Sequence, residues 1–265
     1  MLRHRPYLPE GAYFRKDSAG GTDMIMTHHA KKTLAVFGAG TGLGASLAHR
    51  FGREGYRVAL VARSAGPLEE RVTELKAAGI EATAFPADLT NLAGVPALVR
   101  SIEERVGAID VAVYAPVTPE VGFVPAVELD AAKLEALTKL FTFAPIEVAH
   151  TLLPAMLARG DGAFVLGGGI SAVHVMPGMS GVGPAMAAAR NYIFTLNAEL
   201  KDRGVYAGTV TIGALIERSA GHRALTAGGQ QPKFPIISPD TIADEIWTLV
   251  TKRDRVEAVL PPPTS

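Results

Sequence analysis

Residues 38–44 read Gly-Ala-Gly-Thr-Gly-Leu-Gly, directly after the apolar run 33–37 and directly before a stretch of helical period. Glycine at 38 permits a tight turn, at 42 lets the backbone approach a phosphate, and at 44 lets helix and strand pack closely. The first-turn amides of the following helix then face an anion. The chemistry implied is the holding of a pyrophosphate, with Gly38, Gly40, Thr41, Gly42, Leu43 and Gly44 as its contacts. The alternative is a merely flexible glycine turn. Against it stands a second signal at the proper interval, where Val58-Ala59-Leu60-Val61 ends in Ala62-Arg63-Ser64. A site for NAD usually offers Asp or Glu to the ribose hydroxyls there. Arg63 instead brings a planar, permanent cation suited to a 2'-phosphate, and Ser64 adds a hydroxyl. NADP(H) is therefore expected in preference to NAD(H), unless Arg63 is a solvated surface arginine. Asp88, in Ala87-Asp88-Leu89 at the end of a third apolar run, either meets the adenine amino group or caps the next helix.

The elements that must position these residues follow from periodicity. Short aliphatic runs alternate with longer segments carrying apolar residues every three or four positions, the pattern of β-α-β units around a parallel sheet. Seven strands are expected at about 33–37, 57–62, 80–85, 109–115, 162–168, 205–212 and 256–260. Helices are expected at about 43–54, 66–78, 92–106, 130–158, 180–202 and 239–252. The fold class is α/β, a Rossmann-type doubly wound parallel sheet in three α/β/α layers. Residues 31–265 form one domain. Residues 1–30, with scattered Pro6, Pro9, Gly11, Gly20 and Gly21, read as a disordered or loosely attached extension, with Met24 or Met26 as a natural start. Residues 214–237, with Gly221, Gly228 and Gly229, form an insertion at the carboxyl edge of the sheet, placed to act as a substrate lid.

Composition narrows the partners. Lys plus Arg and Asp plus Glu both number 26, so no overall basic field favours nucleic acid or an anionic membrane surface. No apolar run is expected to reach membrane-spanning length. The absence of cysteine removes disulfides and thiolate chemistry and leaves a cytoplasmic location unopposed. The histidines lack partners at metal-ligand spacing, so no metal is expected.

The chain resembles the short-chain dehydrogenase/reductase family over about 230 of its 265 residues, 32–260. The spacing of Gly38, Gly42 and Gly44 resembles that family's phosphate loop, with Phe37 where threonine is usual. Residues 107–113, Gly-Ala-Ile-Asp-Val-Ala-Val, resemble the lead-in to its Asn-Asn-Ala-Gly segment, of which Val113-Tyr114-Ala115-Pro116 keeps only the alanine. Leu153-Pro154-Ala155-Met156, Gly162-Ala163-Phe164-Val165 and Ile212-Gly213 match further landmarks. The resemblance implies a nicotinamide cofactor, to which it adds Ala115 and Gly213 as contacts, and a homodimer or homotetramer through the long helices near 130–158 and 180–202.

The family's chemistry rests on Asn, Ser, Tyr and Lys. Counted from those landmarks, the four positions fall on Phe141, Gly169 (or Gly168 if shifted by one), Val182 and Met186, and no tyrosine is followed four or seven residues later by lysine. In the family the lysine lowers the tyrosine pKa so that a phenol works near neutrality. General acid–base help is worth roughly 10²–10⁴-fold. Three residues are left as substitutes. His174 follows the fifth strand in a loop bordering the substrate, or is an exposed loop histidine. Ser171 donates to a substrate oxygen, or caps a turn. Tyr114 reaches a ligand with its hydroxyl, or simply packs. Arg190 reads as a surface residue. Phe141, Met176, Met179, Val182 and Met186 together make the pocket apolar, which suits a hydrophobic small-molecule substrate or a filled, inactive site. Three functions stay open: an oxidoreductase with non-standard proton donation, a cofactor-binding partner subunit or sensor, and a cyclase or isomerase reusing the fold.

Overall fold

The computed structural model describes residues 12–16, 22–26, 31–117, 124–227 and 234–262. Its contacts divide the chain into Met1–Lys31 and Lys32–Ser265. In the first unit β1 (Ala12–Lys16) and β2 (Thr22–Met26) pair antiparallel, Tyr13 opposite Ile25. The sequence reading placed no strand in this extension, so the hairpin is an element it missed. Arg15 and Lys16 in one strand and Asp23 in the other leave no sustained apolar run to mark them in the sequence.

The second unit runs β3 (Thr33–Phe37), α1 (Leu43–Arg53), β4 (Arg57–Ala62), α2 (Ala65–Ala77), β5 (Ala82–Pro86), α3 (Val95–Arg105), β6 (Val111–Tyr114), α4 (Ala131–Thr138), α5 (Ala144–Arg159), β7 (Gly162–Gly169), α6 (Val182–Glu199), β8 (Val205–Ile212), β9 (Leu215–Ile216), α7 (Ala220–Thr226), β10 (Ile236–Ile237), α8 (Pro239–Lys252) and β11 (Glu257–Leu260). Seven of these strands form one parallel sheet in the order β11-β8-β7-β6-β3-β4-β5. The chain steps outward from β3 to β5, then returns to place β6 on the other side of β3. Strand order therefore reverses between β3 and β6, and that crevice, at the carboxyl ends of the strands, is where an open sheet takes its ligand.

Both faces of the sheet are buried, as parallel sheets require. Along β3, Leu34 and Val36 point into one core with Leu47, Phe51, Leu68 and Ile246, while Ala35 and Phe37 point into the other with Val99, Val148, Leu152 and Ile193. Helices α1, α2 and α8 thus cover one face and α3, α5 and α6 the other, giving the three layers. On the first face Phe51 meets Trp247 and Tyr56 edge-on, at 5.0 and 5.3 Å between ring centroids.

The single helix expected over 130–158 is interrupted by a π-type turn at residues 139–143. Pro145 has no N–H to return to the Phe141 carbonyl, so the ladder cannot run through this point in α register. Together these segments make a stretch, Ala131–Arg159, long and apolar enough to cross a membrane by length and composition, which corrects the expectation that no apolar run reaches that length. Val148, Ala149, Leu152 and Met156 on this stretch pack into the second core.

The insertion expected at 214–237 holds β9, α7 and β10. Leu215 and Ile216 pair in parallel with Ile236 and Ile237, and the Ser219 hydroxyl caps α7 by accepting from the His222 N–H at 3.0 Å. Gly228 and Gly229 lie outside the described residues.

Candidate active site

The phosphate loop is shaped by close approach. Gly38 has φ +98°, and a Cβ there would lie 2.4 Å from the Pro116 nitrogen, so only glycine fits. A Cβ on Gly44 would come within 2.7 Å of the Ala39 Cα, which is the close helix–strand packing read from the motif. Gly38 and Ala39 both donate to the Val61 carbonyl at 2.9 Å, and Ala45 donates to the Gly40 carbonyl. Leu43 opens α1 and is buried in the first core. No side chain caps α1, and its first turn carries no acidic residue. An anion at this helix end meets amides and a positive dipole end without competition from a carboxylate of that turn, so the residues fit a dinucleotide phosphate.

Along the crevice, Ala115 donates its N–H to the Phe37 carbonyl at 2.8 Å and Gly213 donates to the Leu260 carbonyl at 2.6 Å. Both therefore sit at the carboxyl ends of sheet strands. At the end of β4, Arg63 and Ser64 are exposed. Ser64 precedes α2 in extended conformation, yet its hydroxyl makes no capping bond. At the end of β5, the Asp88 carboxylate accepts from both the N–H and the hydroxyl of Thr90, at 2.9 and 2.8 Å. Those bonds hold its pKa below the usual carboxylate value, with a smaller contribution from the charge of Arg63. Asp88 thus forms a turn cap beside a cation, while Leu89 is buried in the second core.

Around β7 and α6 the geometry is apolar. Gly169 ends β7 and donates its N–H toward the Met186 sulfur at 3.3 Å, so the first turns of α6 meet the strand end. Val182, one turn before Met186, is buried, and Phe141 lies buried in the π-type turn at 5% exposure. Tyr114 is 1% exposed, stacks on Phe37 with 6.4 Å between centroids, and donates its hydroxyl to the Leu140 carbonyl at 2.6 Å. Burial pushes its pKa well above that of a free phenol, so here the group is a structural donor, not a proton shuttle. Ser171 is half-buried, its hydroxyl 3.7 Å from where Gly169 would carry a Cβ. His174 is exposed in the following loop, bonded through its backbone to the Ile170 carbonyl.

Two groups escaped the sequence reading. Arg190, read as a surface residue, makes a bidentate pair with Glu257 at 2.7 and 2.5 Å and lies over the Phe194 ring, so it ties α6 to β11. Arg218, Ser219 and Arg223 of the insertion reach the phosphate loop. The Thr41 hydroxyl donates to the Arg218 carbonyl at 3.0 Å and accepts from the Arg223 guanidinium at 2.8 Å. Only a lid prediction pointed that way, and it named glycines but not these three residues, because the contacts join positions 177 and 182 apart.

A doubly wound parallel sheet whose strand-order reversal carries a glycine loop with these close contacts defines a nucleotide-binding α/β protein. Residues 32–220 match the family model for short chain dehydrogenase, and the chain belongs to that family. Among curated relatives it is similar to 2-(S)-hydroxypropyl-CoM dehydrogenase 3 of Xanthobacter autotrophicus, 27% identical over 230 residues, which cover 83% of this chain and 89% of that one. Among solved structures it is similar to a metagenomic short-chain oxidoreductase in complex with NADP, with TM-score 0.72 and 24% identity, covering 88% and 98% of the two chains. It is also similar to 7 alpha-hydroxysteroid dehydrogenase complexed with NADH and 7-oxo glycochenodeoxycholic acid, with TM-score 0.76 and 19% identity over 86% and 91%. At those identities the two structures bear on the fold.

Proposed function

We propose that this chain is an oxidoreductase that binds NADP(H) in preference to NAD(H) and acts on a small apolar carbonyl compound or enone, with a proton donor other than the family's phenol. The observation that carries the reading is a pairing. The phosphate loop keeps its steric requirements, while a methionine sulfur and not an ammonium faces the end of β7. When bound, the nicotinamide ring supplies or accepts a hydride. Residues 38–44 and the start of α1 hold phosphates; Arg63 and Ser64 hold the 2'-phosphate that separates the two cofactor forms. Ala115 and Gly213 border the crevice. Phe141, Val182 and Met186 exclude water and favour an apolar substrate body.

What the chain must add is a proton at the substrate oxygen. The Ser171 hydroxyl lies beside the position where the family's serine would project, which supports it as a donor of a hydrogen bond to that oxygen, with His174 or water as the proton source. A panel of ketones, aldehydes and enones with NADPH, followed by absorbance of the reduced ring, tests this. Turnover that falls in Ser171→Ala and His174→Ala is the expected result.

The same Met186 contact favours a second reading, a subunit or sensor that binds the cofactor without turnover. Calorimetric binding of NADPH with no turnover on the whole panel is its signature. In either case we propose a homodimer or homotetramer built on α4, α5 and α6, measured by light scattering at micromolar concentration, and residence in the cytoplasm.

A further inference from the structure

The missing side chain of Gly42 leaves open the face that its motif reserves for close approach of a phosphate. In this structure the insertion meets that face: a Cβ on Gly42 would lie 3.1 Å from the Ser219 Cβ and 3.2 Å from its Cα. The segment is held there on both sides. Thr41 bridges the Arg218 carbonyl and the Arg223 guanidinium, and Arg223 also donates to that carbonyl at 3.0 Å. The Arg218 guanidinium pairs with Asp240 at 2.6 Å, and the other oxygen of Asp240 accepts from the Ser46 hydroxyl of α1 at 2.6 Å. Arg218 itself sits at φ +62°, a left-handed conformation that a side-chain-bearing residue keeps only where its surroundings impose it, and such strain collects at ligand clamps and switches.

The charges of the two arginines differ in their partners. Arg218 has a carboxylate. Arg223 bonds only neutral oxygens, and among the described residues no carboxylate lies within ion-pair distance of it. An exposed guanidinium with no counter-charge among the described residues, bonded to the phosphate loop itself, is suited to a bidentate bond with a phosphate.

We propose that residues 215–227 form a self-latching lid over the phosphate loop, and that Arg223, assisted by Arg218, exchanges Thr41 for the pyrophosphate of the dinucleotide on binding. This rests on the dinucleotide reading above and adds to it the cations that hold the phosphates. Because the pyrophosphate is common to both cofactor forms, Arg223 acts on affinity and Arg63 on specificity.

The test is calorimetry of NADPH and NADH on the full chain, wild type beside Arg223→Ala, Arg223→Lys and Arg63→Ala, with hydrogen exchange of residues 215–227 measured with and without NADPH. Arg223→Ala should weaken both cofactors by a similar factor, about tenfold, the scale of one hydrogen bond to a charged group. Arg223→Lys should fall between, keeping charge but losing the fork. Arg63→Ala should weaken NADPH alone. NADPH should alter lid exchange in the wild type and much less in Arg223→Ala. Wild-type binding with Arg223→Ala unaffected, or lid exchange indifferent to NADPH, would overturn the lid and leave the cofactor reading standing. A wild type that binds neither cofactor would overturn both.

Discussion

The two halves of the crevice are specified by different kinds of chemistry. From β3 to β4, function is written in backbone: a positive φ at Gly38, a close approach at Gly44, and amides at the start of α1. Around β7 and α6 the surroundings are set by side chains: Val182 is buried and the Met186 sulfur faces the Gly169 N–H. Backbone geometry is supported by the whole sheet, and its loss would disturb the core. A side-chain group can be exchanged for one of similar volume while the helix and strand that carry it stay put. A fold can thus keep its nucleotide-binding half while changing the chemistry of the other, which is why fold alone does not fix function.

The strongest way to break this contrast is to write side-chain chemistry back into the second half. The variant G169S/V182Y/M186K places a phenol and an ammonium four residues apart on one face of α6. Reduction of a reactive ketone should rise by roughly 10²–10⁴-fold over the wild type, the usual worth of general acid–base help. Folding and NADPH binding are measured first, because a half-buried lysine costs stability if unpaired. A folded variant that binds NADPH and shows no gain would mean that these positions are misassigned.

The converse experiment attacks the backbone half. Gly38→Val forces a β-branched residue into a left-handed conformation with its Cβ 2.4 Å from the Pro116 nitrogen. It should cost about 2–5 kcal/mol from strain and overpacking and abolish NADPH binding, read from the urea midpoint and by calorimetry. Wild-type stability in this variant would remove the steric basis of the loop.

Glu257 sharpens the comparison, because it anchors α6 through Arg190. Burial raises its pKa, but the bonds from Arg190 and Thr211 outweigh that and leave it below the usual value of 4.5. A folded-state pKa lower than the unfolded one contributes stability above the unfolded value, and that contribution is lost as pH falls through the folded one. Glu257→Gln should therefore cost about 2 kcal/mol at neutral pH. The difference from wild type should shrink as pH drops below 4.5. A difference that does not change with pH would show that the carboxylate charge is not what ties α6 to β11.

Specificity is a smaller effect. Arg63→Ala should weaken NADPH about tenfold and leave NADH unchanged; equal affinities in the wild type would refute the 2'-phosphate assignment. Smallest of all, Tyr114→Phe removes one hydrogen bond to the Leu140 carbonyl and should cost about 1 kcal/mol in thermal or urea unfolding. The pH profile of any turnover should not move. A shifted profile would return Tyr114 to the proton-transfer chemistry from which its burial removes it.

The sequence by itself determined the sheet, the order of its strands' companions and the phosphate loop, because each is encoded in a short window: β3, β4 and β8 lie where alternation and apolar runs placed them, and the turn at Gly38 needs a residue without a side chain. Helix α8 was legible from its apolar spacing, and the structure caps its start with the Ser238 hydroxyl. The hairpin at β1 and β2 carries no sustained apolar run to mark it, and the π-type turn at residues 139–143, just before Pro145, leaves the helical period of the sequence unbroken. Only the tertiary structure decided that Tyr114 spends its hydroxyl on Leu140, that a methionine sulfur faces Gly169, and that Ser219 rests on Gly42. Each of these joins residues that local pattern leaves independent. The reversal of strand order between β3 and β6, by bringing the loop after β3 and the insertion after β8 to one edge of the sheet, is what makes them neighbours.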